Sequence, residues 1–361
     1  MEILEDINLI LLYGGVLMLN LVGALYLLLR RGNAFAPEVT PPVRLRRWST
    51  VFMLYAALSH VFWLYYIQHP SPAGYIIVCG LDILLLIPSI AGILLSMLQD
   101  RHRPVWPVSV MLAPALVLLV LCLVRGDDVL VVPLSIYVIA LYVLFMVYTF
   151  FAVRRYGRWL KDNYADLEHK EIWQSLLILA VFLLFFAMYS NATETNKVFV
   201  YLLQVDNILI VGLLLWRVET LQVLAENTPA EAEPAEEVQK ASVPSAIPAT
   251  IGPLLEKQCE EKQLYLQHDL SLSQLAQAIG TNRYYLSQYF AQQGLTYNAY
   301  INGLRIRHFV SLWQEAVAQQ RIFTAQQLSA ESGFHSYSTF SAAFKNMMGK
   351  TVTAWMHDQA E

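Results

Sequence analysis

The chain is poor in cysteine, in charge and in the motifs of catalysis. Its three cysteines, Cys79, Cys122 and Cys259, show no paired spacing, which excludes a disulfide framework, a paired-cysteine zinc site and thiol redox work. It has no Gly-rich loop ending in a phosphate-binding lysine, no dinucleotide fingerprint and no serine nucleophile elbow, so neither an enzyme nor a cofactor is expected. Histidines and aspartates in the apolar part come singly, and no metal cluster is expected there. Leu167 to Lys170, with His169 between, has the local pattern of a kinase phosphorylation site, yet no nucleotide-binding domain follows it. Charged residues make up 14% of the chain and hydrophobic ones 57%, a balance that excludes an ordinary water-soluble protein.

What the chain does have is long apolar runs, all within residues 1–218. Seven stretches reach about the 20 residues that cross a hydrocarbon core of roughly 30 Å as a helix: Ile7 to Leu29, Trp48 to Ile67, Tyr75 to Leu98, Trp106 to Val124, Val129 to Phe151, Ile172 to Ser190 and Val198 to Val218. The first is too long for a signal peptide core, lacks a basic leader and is followed by Arg30 and Arg31, so it reads as a retained span. Trp48, Tyr75 and Trp106 stand at span ends as interfacial anchors, and Pro88, Pro114 and Pro133 are expected to kink helices.

Basic residues cluster in alternate loops. Arg30, Arg31, Arg44, Arg46 and Arg47 follow the first span, Arg101 and Arg103 the third, and Arg154, Arg155, Arg158, Lys161 and Lys170 the fifth. The opposite loops carry Arg125 and Lys197. The positive-inside bias then puts the N-terminus outside and everything after Val218 in the cytoplasm. Among polar residues within the spans, Asn20 and Gln204 suit interhelical hydrogen bonds, whereas His60, Asp82, Asp206 and Asn207 are candidates for a sensor site, with His60 able to pair with either aspartate. The external Asn191 and Thr193 match a glycosylation pattern with no expected use.

Residues 219–250 change to Ala, Glu and Pro and read as a linker that spans about 30 Å root-mean-square if flexible. Val218, Leu221 and Ala225 offer only a short dimerising seam.

Residues 251–361 hold a duplication. Leu275, Gly280, Leu286, Phe290, Gly294, Thr296 and Tyr300 recur as Leu328, Gly333, Phe340, Phe344, Gly349, Thr351 and Trp355, 53 to 55 positions later. Each copy reads as a short helix, a glycine turn and a second helix, with Ser271 or Ser273 opening the first and Thr324 or Gln326 its counterpart. The second helices are Arg283 to Gln293 and Tyr337 to Met347. Thr296 caps a longer connecting helix, Tyr297 to about Gln319, with an apolar stripe at Ile301, Leu304, Ile306, Phe309, Val310 and Trp313.

With Tyr300 to Ile306 in the connecting helix, Glu331 to Phe334, and Ser338, Phe340, Ala343 and Lys345 after it, this module resembles the AraC/XylS family of bacterial transcription regulators. The resemblance implies two helix-turn-helix units, each placing its second helix in successive major grooves of double-stranded DNA. The implied contacts are Asn282, Arg283, Tyr284, Tyr285 and Gln288 in the first copy and His335, Ser336, Tyr337, Thr339 and Ser341 in the second, with Lys345 on phosphate. Gln288, Ala291 and Ala342 depart from the basic residues common there, and the module balances eight basic against eight acidic side chains. Such a module binds phosphate weakly as a monomer, and a homodimer or clustering in the bilayer compensates.

The expectation is therefore an all-α chain: a seven-helix transmembrane domain (1–218), a linker (219–250) and an AraC-type DNA-binding domain (251–361). It reads as a regulator in the bacterial inner membrane whose apolar half senses an unknown ligand or membrane partner. The rivals are a transporter or membrane enzyme with an autoregulatory tail, and a passive tether between DNA and membrane.

Overall fold

A computed structural model describes residues 6–30, 32–34, 42–125, 129–167, 170, 173–191, 196–224 and 251–359. Ala225, the linker from 225 to 250, and Ala192 and Thr193 of the glycosylation pattern lie outside them. The chain divides into two units, Met1–Tyr156 with Ile172–Ala230, and Gly157–Glu171 with Glu231–Glu361. Among the described residues the only extended pairing is an isolated bridge between Tyr164 and Ser271, and the fold is otherwise helical.

Six helices of the first unit are long and apolar enough to cross a membrane: α1 (Ile7–Leu29), α2 (Val43–Gln68), α3 (Pro72–Met97), α4 (Trp106–Arg125), α5 (Val131–Asn163) and α7 (Lys197–Thr220). Between the last two lies α6 (Trp173–Asn191), 19 residues long and apolar over Gln174–Phe186. Six of the seven expected spans are thus matched by such helices among the described residues, and the expected sixth span coincides with α6. Outward-facing side chains such as Leu11, Val22, Val61, Val117, Phe151 and Leu209 are exposed. So extensive an apolar surface is rare on a protein in water and suits hydrocarbon.

Prolines shape these helices by where they fall. Pro88 has no N–H and its ring crowds the carbonyl of Leu84, and the helix widens into a π turn at Asp82–Leu86 just there. Helix α4 breaks at Leu112, two residues before Pro114. Pro133, expected to kink its helix, instead occupies the first turn of α5, where a missing N–H costs nothing. Helix α2 starts five residues before Trp48, whose ring fills the space that a side chain at Gly92 would need. Nor do Val218 and Leu221 form a seam, since both are buried in this unit's core with Phe52, Ile93, Phe182 and Leu214.

Helix α5 has 33 residues, about 50 Å at 1.5 Å per residue, well beyond a 30 Å core. Its last turns, from Gly157, belong to the second unit.

In that unit the helices fall where the capping residues place them. After a helical start at Ile251–Glu260, α8 (Leu272–Ala278) is opened by Ser271 in a reciprocal cap with Gln274, and α9 (Arg283–Gln292) by Asn282. Thr296 caps α10 (Tyr297–Ala318), Thr324 caps α11 (Ala325–Glu331) in a second reciprocal cap with Gln327, Ser336 caps α12 (Tyr337–Met348) and Thr351 caps α13 (Val352–Asp358). Each reciprocal cap satisfies two otherwise orphaned N–H groups. Helix α10 serves two cores: Ile301 and Leu304 pack with Leu275, Leu286 and Phe290, while Ile306, Phe309 and Trp313 pack with Leu328, Phe340, Phe344 and Trp355.

Candidate DNA-binding surface and membrane cavity

The two copies present α9 and α12 as their second helices. In each, the apolar repeat positions point inward: Leu286, Phe290, Phe340 and Phe344 are all buried. The opposite faces hold the candidate contacts. Asn282, Tyr284, His335, Tyr337 and Lys345 are exposed, and Arg283, Tyr285, Gln288, Ser336, Thr339 and Ser341 are half-buried. Asn282 and Ser336 use their side-chain oxygens to cap, accepting from the N–H of Tyr285 at 2.9 Å and of Thr339 at 3.3 Å. Tyr285 packs on the first core. Gln288 donates to the Tyr284 hydroxyl at 2.6 Å, joining two candidates into one polar patch. His335 meets His268 edge to face, with ring centres 5.9 Å apart.

One segment fixes the spacing of the copies. Tyr265 and Gln267 turn their carbonyls to the buried Arg305 guanidinium, which donates to both at 2.7 Å and lies 5.6 Å over the Phe334 ring of the second copy. Gly333, in a left-handed turn, abuts the backbone of Leu266. Burial holds the Arg305 pKa below its ordinary value, and burial also pushes the Cys259 thiol up to about 12, which leaves it unreactive.

Residues 163–167 and Lys170 were not singled out as partners of this module, yet they are built into it. Ala165 is fully buried in the first core, its N–H reaches the Leu270 carbonyl at 3.4 Å, and Asn298 donates to the Ala165 carbonyl at 2.6 Å. The Lys170 ammonium pairs with Asp269 at 2.9 Å; burial opposes ionisation of Asp269, but the hydrogen bond and charge of Lys170 outweigh it and hold the carboxyl below its ordinary value. Most pointedly, Arg283 donates to Asn163 Oδ1 through Nε at 3.0 Å and Nη2 at 2.6 Å. A basic loop shows no helical or strand period, so nothing in its sequence marked this docking.

In the first unit the sensor candidates separate. His60, Asp82 and Asn207 line a cavity of about 600 Å³, whereas Asp206 does not. His60 pairs with neither aspartate; its ring nitrogens lie 2.6 Å from the Ala56 carbonyl and 3.0 Å from Gln204 Oε1. Asn207 accepts from Asn20 at 2.7 Å, so Asn20 and Gln204 do make interhelical bonds. Asp206 is buried with no hydrogen-bond partner among the described residues. Asp82 gathers Tyr55, Ser59, Trp63 and Tyr189, none of which stood out in the sequence because hydroxyl and indole groups on apolar spans look like ordinary packing. No group of His, Cys, Asp and Glu suited to a metal ion occurs among the described residues.

Comparison with curated proteins and with solved structures returns no match. A family model described as a helix-turn-helix domain matches residues 275–358, from Leu275 of the first copy through α13. The duplicated helix-turn-helix units, the shared connecting helix and this match together make the C-terminal part of the chain an AraC-type helix-turn-helix domain.

Proposed function

We propose that the protein is a membrane-bound transcriptional regulator whose cytoplasmic helix-turn-helix units bind DNA under the control of a signal received by the apolar helices. The observation that carries this reading is one chain joining a DNA-binding domain to helices apolar enough to span a bilayer.

The docked loop supports a common compartment for itself and the module. Residues 157–171 leave α5 and enter α6, yet belong to the module's unit. For α7 to return the chain to that same side, α6 must cross whenever α7 does. This parity favours seven crossings, with α6 as the sixth, and the positive-inside bias of the basic loops favours the cytoplasm as the shared side.

The loop also suggests how control is exerted. Arg283 is the one basic side chain among the contacts proposed for the first copy, and Asn163 holds it. The module has little charge to spare: Arg305 is buried, and Lys350 is paired with Asp358 at 2.6 Å. An arginine that bonds guanine bidentately contributes about 1–3 kcal/mol, so its capture matters.

The reading is tested with full-length protein in lipid nanodiscs, by selecting bound genomic fragments and measuring their mobility shift. Arg283→Ala is expected to weaken binding to the selected site by about 1–3 kcal/mol, roughly five- to 150-fold. Asn163→Ala is expected to tighten it about two- to tenfold by loosening the hold on Arg283, the roughly 0.5–1.5 kcal/mol that a typical intramolecular hydrogen bond contributes after competition with water. Failure to enrich any fragment would sink the regulator reading, and unchanged affinity in the Asn163 variant would sink the control by capture.

A further inference from the structure

We infer that the cavity among the apolar helices is a binding site for an organic cation that offers no hydrogen bonds, of the quaternary ammonium class. The inference rests on the sensing part of the function proposed above and supplies its ligand chemistry.

Asp82 carries the argument. Its Oδ1 accepts from the Tyr55 hydroxyl at 2.6 Å and the Ser59 hydroxyl at 3.0 Å, and its Oδ2 accepts from the Trp63 indole at 3.0 Å and from the Tyr189 hydroxyl. Two donors on each oxygen fill the acceptor positions of a carboxylate. All four donors are neutral. No Lys, Arg or His forms an ion pair with Asp82 among the described residues, and His60, the basic side chain on the same wall, is turned to Ala56 and Gln204. The carboxylate thus faces an apolar cavity with its hydrogen bonding complete and no opposite charge, and there a charge acts over a longer range than in water.

The walls supply the second half of the site. Trp63 meets Tyr66, Tyr75 and Tyr189 with ring centres 5.8, 6.3 and 6.1 Å apart and planes inclined by 87°, 75° and 80°. Rings set steeply around one space form the kind of cage that holds quaternary ammonium groups by cation–π attraction. Trp63 and Tyr189 belong both to this cage and to the Asp82 network, so charge and aromatic faces are presented together. A volume of about 600 Å³ suits a small organic molecule.

The same geometry ranks the ligands. A primary ammonium binds best by donating to a carboxylate, and here it must first displace Tyr55, Ser59, Trp63 or Tyr189. A quaternary ammonium displaces none of them. A neutral molecule of the same shape gains the apolar contacts and loses the attraction of Asp82.

The test is equilibrium dialysis of radiolabelled benzyltrimethylammonium against the full-length protein in nanodiscs, with empty nanodiscs as background. Unlabelled benzyltrimethylammonium is expected to compete at least tenfold better than benzylamine or neopentylbenzene, its neutral isostere. Asp82→Asn is expected to weaken binding at least tenfold and Tyr66→Leu several-fold. Should the Asp82 variant fail to fold, the order of competitors on the unaltered protein and the Tyr66 variant decide the matter. The absence of saturable binding, or equal competition by the neutral isostere, would overturn the site. Mobility shifts on the same preparation separate the two readings: DNA binding without cation binding overturns this site alone, and cation binding without DNA binding overturns the regulator.

Discussion

Gly333→Ala is expected to destabilise the second helix-turn-helix unit by roughly 3 kcal/mol, and hydrogen exchange of the α11 and α12 amides in the full-length chain would report it. Two costs add. Gly333 has φ +92°, a left-handed conformation that costs an L-residue about 1–2 kcal/mol. A Cβ there also lies 2.7 Å from Leu266 Cα and 3.0 Å from its carbonyl oxygen, a clash with backbone that no rotamer relieves, and overpacking of this kind costs about 1–3 kcal/mol. The matching glycine of the first copy is the control. Gly280 has φ +76° but open space around its missing Cβ, so Gly280→Ala is expected to lose only about 1–2 kcal/mol, the conformational part. Equal losses at the two glycines would contradict the crowding at Leu266.

Arg305→Met is expected to cost about 1–3 kcal/mol and to weaken DNA binding, although Arg305 is 1% exposed and cannot touch DNA. The guanidinium donates to the Tyr265 and Gln267 carbonyls, both at 2.7 Å. The buried Tyr265 carbonyl left unsatisfied costs about 1–3 kcal/mol, and the half-buried Gln267 carbonyl less, since water can reach it. The loss spreads, because the same segment abuts Gly333 and the guanidinium covers Phe334. With that link gone the two recognition helices lose their fixed separation, and one duplex turn of about 34 Å no longer matches both. Arg305→Lys is not expected to rescue the variant, since a single ammonium does not reproduce two diverging N–H donors on a planar fork. Thermal unfolding and mobility shift of the full-length variants would check this, and wild-type affinity in the Met variant would refute the role given to the segment.

Local features were legible in the sequence because short-range chemistry sets them. Ser271, Asn282, Thr296, Thr324 and Ser336 open their helices as capping side chains do, and the repeat positions Leu286, Phe290, Phe340 and Phe344 are core because their spacing keeps them on one helical face. Where the expectation failed, distant residues had decided. His60 looked like a partner for an aspartate, but Gln204, 144 positions away, lies nearer its Nε2. Adjacent Asp206 and Asn207 looked like a pair, yet successive residues on a helix point about 100° apart, and only Asn207 reaches the cavity.

The sequence by itself determined that the chain is helical throughout its described length, that its first part is too apolar for water, and that its last part is a duplicated helix-turn-helix domain. Composition and period carry that information, and both are local properties. Only the tertiary structure decided that Ala165 completes the core of the first copy, that Asn163 holds Arg283, and that Asp82 receives four neutral donors and, among the described residues, no cation. These depend on contacts between residues as many as 133 positions apart, where side-chain shape and unmet hydrogen bonds choose the partner and no periodicity records the choice.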